Sequence, residues 1–581
     1  MATSAKPAAV DDLDETQTRM LNQRVDETVA KAGTPPQFYR NTPHGKKPQP
    51  KQLSTTASAI VHYLATSFSN YAVSVLTAPQ TLFHDPFGGM LALIEFPFVH
   101  IAMWIIWCFF VVAKACGGDK LWDWFSTQYG FGLSAVNMLD PELLYDTSVK
   151  QVHNTARKSL SNAYGLPLAP SQVKTFEYEQ DEQVTPTRFF NLDIAKSLLI
   201  LCALVYERDD KLVVEADKVA RDETLDPTSR RRQVSKLLLR STRTVRSRAR
   251  QWGLNFASIS DFINVGGPFC GMFYPASGDE RWIVLAVKGT SPDSFSDILA
   301  DAAISHQNAD AFFGGGNVHE GFYASLAPSA EADNDPYANI IYGLKHLART
   351  MRKGSGEKVN LWIAGHSLGS AIASLLHARL LFSPQDLGPD LVLRQGYVYG
   401  APRVASADFI SRFDFAASQP FGDTTRSLWR VIDRWDIVTH VPPGLADQEA
   451  NQDILPETSM LNYGHFGIGV HLTGVTARNP AGWEIEQGSL RGGSRMQIVE
   501  LEKDPLQELD SQPSGAADRD LTPKTMTILG YTFDPIKAAK SALQLVGPLY
   551  DHFPSNYWMR LGLVKADLEV RQSDDPPRTD A

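Results

Sequence analysis

Cysteine is scarce in this 581-residue chain: Cys108, Cys116, Cys202 and Cys270 form no C-x-x-C pair and share no metal-ligand spacing with histidine. Such sparseness excludes a disulfide scaffold, and no residues call for a metal or an organic cofactor. The sequence has no Asn-x-Ser/Thr acceptor, which points away from a domain that folds in the secretory lumen. Its first twenty residues are acidic and polar with no apolar stretch, so no cleavable signal peptide is expected. A net charge of −10 weighs against nucleic acid as a partner. With 43% apolar and 21% charged residues, the composition is that of a globular protein with a sizeable core.

Long apolar runs are also rare, and the one present stands out. Residues 1–52 hold almost no apolar cluster and are expected to form a disordered tail. Residues 53–180 read as a helical region. Within it Phe96–Ala113 carries no charge over eighteen residues, with His100 as its single ionisable group. That length just covers a hydrocarbon core, so a membrane segment is expected at 96–113 and the protein is placed at a membrane, of an organelle the sequence does not specify. A second unusual stretch, 230–250, holds nine Lys or Arg and no acid. It reads either as a solvated surface insertion or as a basic face for an anionic membrane.

From residue 181 to about 500 the pattern is α/β. Apolar strands are expected at 282–287, 359–364, 394–399 and 428–432, with helices at 191–206, 337–352 and 371–381. Residues 501–581 form a C-terminal extension with a helix expected over 536–550. The strand at 359–364 runs into Gly365-His366-Ser367-Leu368-Gly369, and a small-residue helix follows at once. This is the strand, turn and helix of a nucleophile elbow, with glycines where side chains two positions from the serine would collide. The helix aims free N–H groups and its positive end at Ser367.

A serine nucleophile needs a base, and the base an orienting acid, in the chain order Ser, Asp, His. Downstream lie Asp433 and Asp436 at the end of a strand, His440, then His465 in the loop Tyr463-Gly464-His465-Phe466-Gly467, and His471.

Four blocks in order resemble the fungal lipase-like family, the class 3 lipases of the α/β-hydrolase superfamily. They are Val287-Lys288-Gly289-Thr290-Ser291, Val318-His319-Glu320-Gly321-Phe322, the elbow with Tyr399-Gly400-Ala401-Pro402, and Asp436-Ile437-Val438 through Pro442-Pro443 with His465-x-Gly467. The resemblance implies Ser367 as nucleophile, Asp436 as acid and His465 as base, with Asp433, His440 and His471 as runners-up. It further implies an oxyanion hole from Thr290 and Leu368 and a lid at 294–304. Lys288 departs from the family's usual Arg. The expected function is a serine lipase cleaving acyl esters of acylglycerols or phospholipids at a membrane. A membrane acyltransferase with the same triad, or an inactive lipase-like interaction module, would carry the same motifs.

Overall fold

In the computed structural model the described residues are Met90, 117–146, 148–161, 173–175, 186–259, 269–276, 280–289, 306–327, 335–352, 356–418, 426–442, 444–447, 461–476, 479, 482–485, 494–501, 521–528, 531–564 and 567–572. The segment 96–113, Thr290 and the expected lid at 294–304 lie outside them. Among the described residues no helix is long and apolar enough to cross a membrane.

Eight strands form the central sheet: β1 (Leu254–Ser258), β2 (Cys270–Pro275), β3 (Trp282–Val287), β4 (Val359–His366), β5 (Leu391–Tyr399), β6 (Leu428–Asp433), β7 (Ile468–Leu472) and β8 (Glu484–Ile485). They lie side by side in chain order. β3 to β7 run parallel, and β1, β2 and β8 pair antiparallel at the two flanks. A buried parallel sheet demands apolar residues on both faces, and the strands supply them. In β3, Ile283, Leu285 and Val287 enter one core while Trp282, Val284 and Ala286 enter the other.

The helices include, in chain order, α1 (Ser148–Ser161), α2 (Leu192–Leu204), α3 (Asp210–Ala220), α4 (Pro227–Ser241), α5 (Arg243–Gln251), α6 (Pro336–Met351), α7 (Leu368–Phe382), α8 (Ala407–Ser418), α9 (Pro535–Gln544) and α10 (Pro554–Leu563). α6, α7 and α8 cover the first face; α1, α2, α5 and α10 cover the second. The result is a three-layer α/β/α sandwich of the α/β-hydrolase type. α2 is buried on nearly every side, which its run of apolar residues from Leu198 to Leu204 requires.

The helix expected over 536–550 is divided. α9 ends at Gln544 and a separate turn starts at Gly547, where Pro548 supplies no N–H to continue the first helix. The C-terminal residues belong to the body of the fold. Tyr557, Leu561 and Val564 are buried in the second core. Strand Asp567–Gln572 pairs with both 494–501 and 186–190 in a separate antiparallel sheet.

Candidate active site

β4 delivers Ser367 to the C-terminal edge of the parallel strands, and α7 starts at the next residue. The serine has φ 60° and ψ −134°, a conformation that side-chain-bearing residues seldom adopt and that costs of order 1–3 kcal/mol. The neighbouring glycines make the turn possible. A Cβ on Gly365 would lie 2.3 Å from the Gly369 carbonyl oxygen, and one on Gly369 would lie 2.3 Å from that of Val287. Leu368 opens α7, where its N–H has no intrahelical acceptor and is free for a developing negative charge.

Asp436 stands just past β6 at the same edge and is fully buried. Its Oδ1 accepts the Val438 N–H at 2.9 Å, which fixes the carboxylate at the head of a short 3₁₀ turn. The Tyr557 hydroxyl donates to Oδ2 at 2.6 Å. Above all, the Nδ1 of His552 lies 2.9 Å from Oδ1 and 2.8 Å from Oδ2. Burial pushes the Asp436 carboxyl up, but the charge and hydrogen bonding of His552, with Tyr557 and Val438, outweigh it and hold the group below the ordinary carboxylate value. Gly400 comes so close that a Cβ there would meet Asp436 Oδ2 at 2.7 Å and His552 Cε1 at 2.8 Å.

His552 therefore occupies the place expected for His465. With Nδ1–H given to Asp436, its Nε2 presents the lone pair, and that buried atom has no hydrogen-bond partner in the protein. His366, the residue before Ser367, holds the loop. Its Nε2 donates to the His552 carbonyl at 2.8 Å, and its Nδ1 accepts from the Tyr206 hydroxyl at 2.9 Å. Burial lowers the His366 pKa to about 3, which keeps the ring neutral and lets one nitrogen accept while the other donates.

The structure does not bring His465 to Asp436. His465 Nδ1 lies 3.1 Å from Asp447 Oδ1, its Nε2 lies 3.1 Å from the Ala401 carbonyl, and its own N–H donates to Asp447 at 2.5 Å. Arg403 in turn donates to Asp447 Oδ2 at 2.8 Å. The physical reason is local. The Tyr463–Gly467 loop bridges Ala405 through Gly464, so it is fastened to the 401–405 segment rather than suspended over the serine.

The runners-up also have other partners. Asp433 Oδ1 lies 2.6 Å from Arg560 Nε of α10, and burial, only partly offset by that guanidinium, raises its carboxyl pKa to about 8. His440 turns its Nδ1 toward the Asp436 backbone carbonyl, and His471 meets the Arg434 carbonyl through Nε2 at 2.8 Å. Lys288, at the end of β3, pairs with Asp210.

Residues 284–445 match the family model described as lipase (class 3). This stretch belongs to the class 3 lipases. The lipase match takes in Ser367 and Asp436 and ends before His465 and His552. The match supports a serine lipase or esterase. No curated protein matches the chain. Solved structures similar to it include lipase II from Rhizopus niveus, 18% identical over 48% of this chain and 86% of that one, with a TM-score of 0.30. The triacylglyceride lipase of Rhizomucor miehei is 18% identical over 38% of this chain and 67% of that one, TM-score 0.27. A lipase from Rhizopus microsporus var. chinensis is 16% identical over 53% of this chain and 81% of that one, TM-score 0.28.

Proposed function

We propose that the protein hydrolyses carboxylic esters of acylglycerols or phospholipids with Ser367 as nucleophile, His552 as base and Asp436 as orienting acid. His552 Nε2 takes the proton from Ser367 Oγ as that oxygen attacks the acyl carbon. The oxyanion is received by the Leu368 N–H and by Thr290. As the intermediate collapses, His552 returns the proton to the leaving alcohol and an acyl-serine remains. Water, deprotonated by the same nitrogen, then releases the fatty acid. The observation that carries this reading is the pair Asp436–His552, whose second imidazole nitrogen is unpartnered and whose loop is tied to the residue beside Ser367.

The site is expected to work at a membrane reached through the apolar stretch 96–113, in an organelle that the sequence leaves open. Lipid profiling of membranes incubated with wild type and Ser367→Ala tests both substrate and reaction. Fatty acid release by wild type alone supports the hydrolase. Transfer of the acyl group to a second lipid, without free fatty acid, replaces it with an acyltransferase.

A further inference from the structure

The basic stretch seen in the sequence takes a definite form on α4 and α5. Asp226 caps α4 by accepting from the Thr228 and Ser229 N–H groups, and Pro227 sits at its first turn. Val234, Leu237 and Leu238 face inward and pack with Ala216 of α3 in a small separate core. Arg232, Lys236 and Arg240, four residues apart, stack along the opposite face, and Arg243 continues the row at the start of α5. All four are exposed, and none forms an ion pair with a described residue. Like charges at this spacing repel by a few tenths of a kcal/mol per pair, so the row is a cost to the folded chain by itself. The whole chain has 55 Lys and Arg against 65 Asp and Glu, yet nine of the former and none of the latter fall in 227–251.

The segment carrying α3, α4 and α5 is rooted at the catalytic edge. The Asp209 N–H donates to the Ser241 carbonyl at 2.9 Å, and Asp210 pairs with Lys288, next to Gly289. A Cβ on Gly289 would touch Ser367 Cβ at 3.0 Å, which places this root directly beside the nucleophile. The other flank of the same edge exposes large apolar side chains among polar ones. The segment leading to His552 exposes Leu545 at 87% and Val546 at 53%. Trp435, 73% exposed, and Met559 line a cavity of about 640 Å³ there, beside the polar Arg434, His471, Asp551 and Arg560.

We propose that the face formed by Arg232, Lys236, Arg240 and Arg243 docks on a negatively charged lipid surface and seats the catalytic edge on it. A basic flank and a flank with exposed apolar side chains, on either side of an ester-cleaving site, match anionic headgroups and acyl chains together. An acidic protein surface would answer the charge but not the apolar side. The proposal rests on the lipid-ester reading above.

The test uses the full chain and the triple variant Arg232→Glu/Lys236→Glu/Arg240→Glu. Each protein is floated with vesicles of phosphatidylcholine alone and with vesicles also containing phosphatidylserine. Each basic residue near such a surface is worth about fivefold in partition, so the four together give roughly six-hundredfold. Wild type is expected to prefer the anionic vesicles by about that factor at low salt, and to lose the preference near 0.5 M NaCl, where screening is strong. The variant is expected to show no preference for the anionic vesicles while hydrolysing a short soluble ester at the wild-type rate, which shows that it is folded. A variant that keeps the preference overturns the proposal. So does a wild type that partitions equally, which leaves an acidic protein as the counterpart of the basic row. If wild type leaves both the soluble and the lipid ester intact, the hydrolase reading fails and flotation still decides the docking.

Discussion

Two Asp–His pairs lie among the described residues, and they differ in what the second imidazole nitrogen does. In Asp436–His552 the carboxylate takes one nitrogen and the other is left without a partner. In Asp447–His465 the carboxylate takes one nitrogen, the Ala401 carbonyl faces the other, and Arg403 secures the carboxylate from behind. Both partners of the His465 ring are acceptors, so only the doubly protonated ring donates to both; the Asp447 charge and hydrogen bond favour that form, while burial opposes it and lowers the pKa on balance. A general base needs an accepting nitrogen turned to its substrate; a structural histidine needs both nitrogens satisfied. Chain order and residue type are the same for the two pairs. Only the contacts tell a base from a strut.

The sharpest way to break this comparison is to remove each imidazole in turn. His552→Ala is expected to lower kcat by roughly 10⁴- to 10⁶-fold without unfolding the protein, as loss of a triad member does. His465→Ala should keep kcat within about tenfold while lowering the unfolding midpoint. Steady-state kinetics beside a thermal melt separates the two, and equal kinetic losses would erase the distinction.

The acids come next. Asp436→Asn should cost about 10⁴ in kcat, because an amide no longer fixes the His552 tautomer. Asp433→Asn removes the acid beside the buried Arg560 guanidinium and is expected to lower stability while the folded fraction keeps its activity. Denaturant titration and kcat per active site measure the two effects. An Asp433→Asn protein that is stable but inactive would reverse the assignment.

His366 sharpens the comparison at smaller scale. Substituting Leu removes the donor to the His552 carbonyl, and a loop displaced by about 1 Å costs up to a hundredfold in kcat. KM for a short ester should be unchanged. A change confined to KM would remove His366 from the positioning of the base.

The smallest effect is in pH. His366 titrates at about 3 in the folded chain and near 6.5 when unfolded, so it binds a proton on unfolding anywhere between those values. Its contribution is therefore complete above pH 6.5 and falls by about 1.4 kcal/mol per pH unit as pH drops from there toward 3. His153, His319 and His377, also lowered to about 3 by burial, act in the same direction. Unfolding free energies measured from pH 7 to pH 5 should slope downward in wild type and less so in His366→Leu. A flat wild-type profile would show that these rings are not buried neutral.

What the sequence made legible follows from the range of each interaction. The elbow is local: β4, the turn at Ser367 and α7 follow one another within residues 359–382, and the glycines write the turn into the chain. Asp436 is also local, since its position past β6 and its cap on Val438 depend on adjacent residues. His552 is not. It reaches Asp436 across 116 residues, carried there by α10, whose Tyr557 and Arg560 bind Asp436 and Asp433 on successive turns. Nothing local marks it. The one available signal was that an Asn, a Tyr and an Arg recur on the same apolar helix, polar groups that a helix buried at its partner's expense must pair. The loop around His465 presented a stronger local pattern, and that pattern belongs to a turn fastened on 401–405.

The most direct test of the central claim is the rate at which a fluorophosphonate probe labels Ser367 in the two histidine variants, because labelling requires an activated serine and no lipid. His465→Ala is expected to label at close to the wild-type rate and His552→Ala to remain unlabelled. A His552→Ala protein that labels normally, beside a silent but folded His465→Ala, would contradict the account.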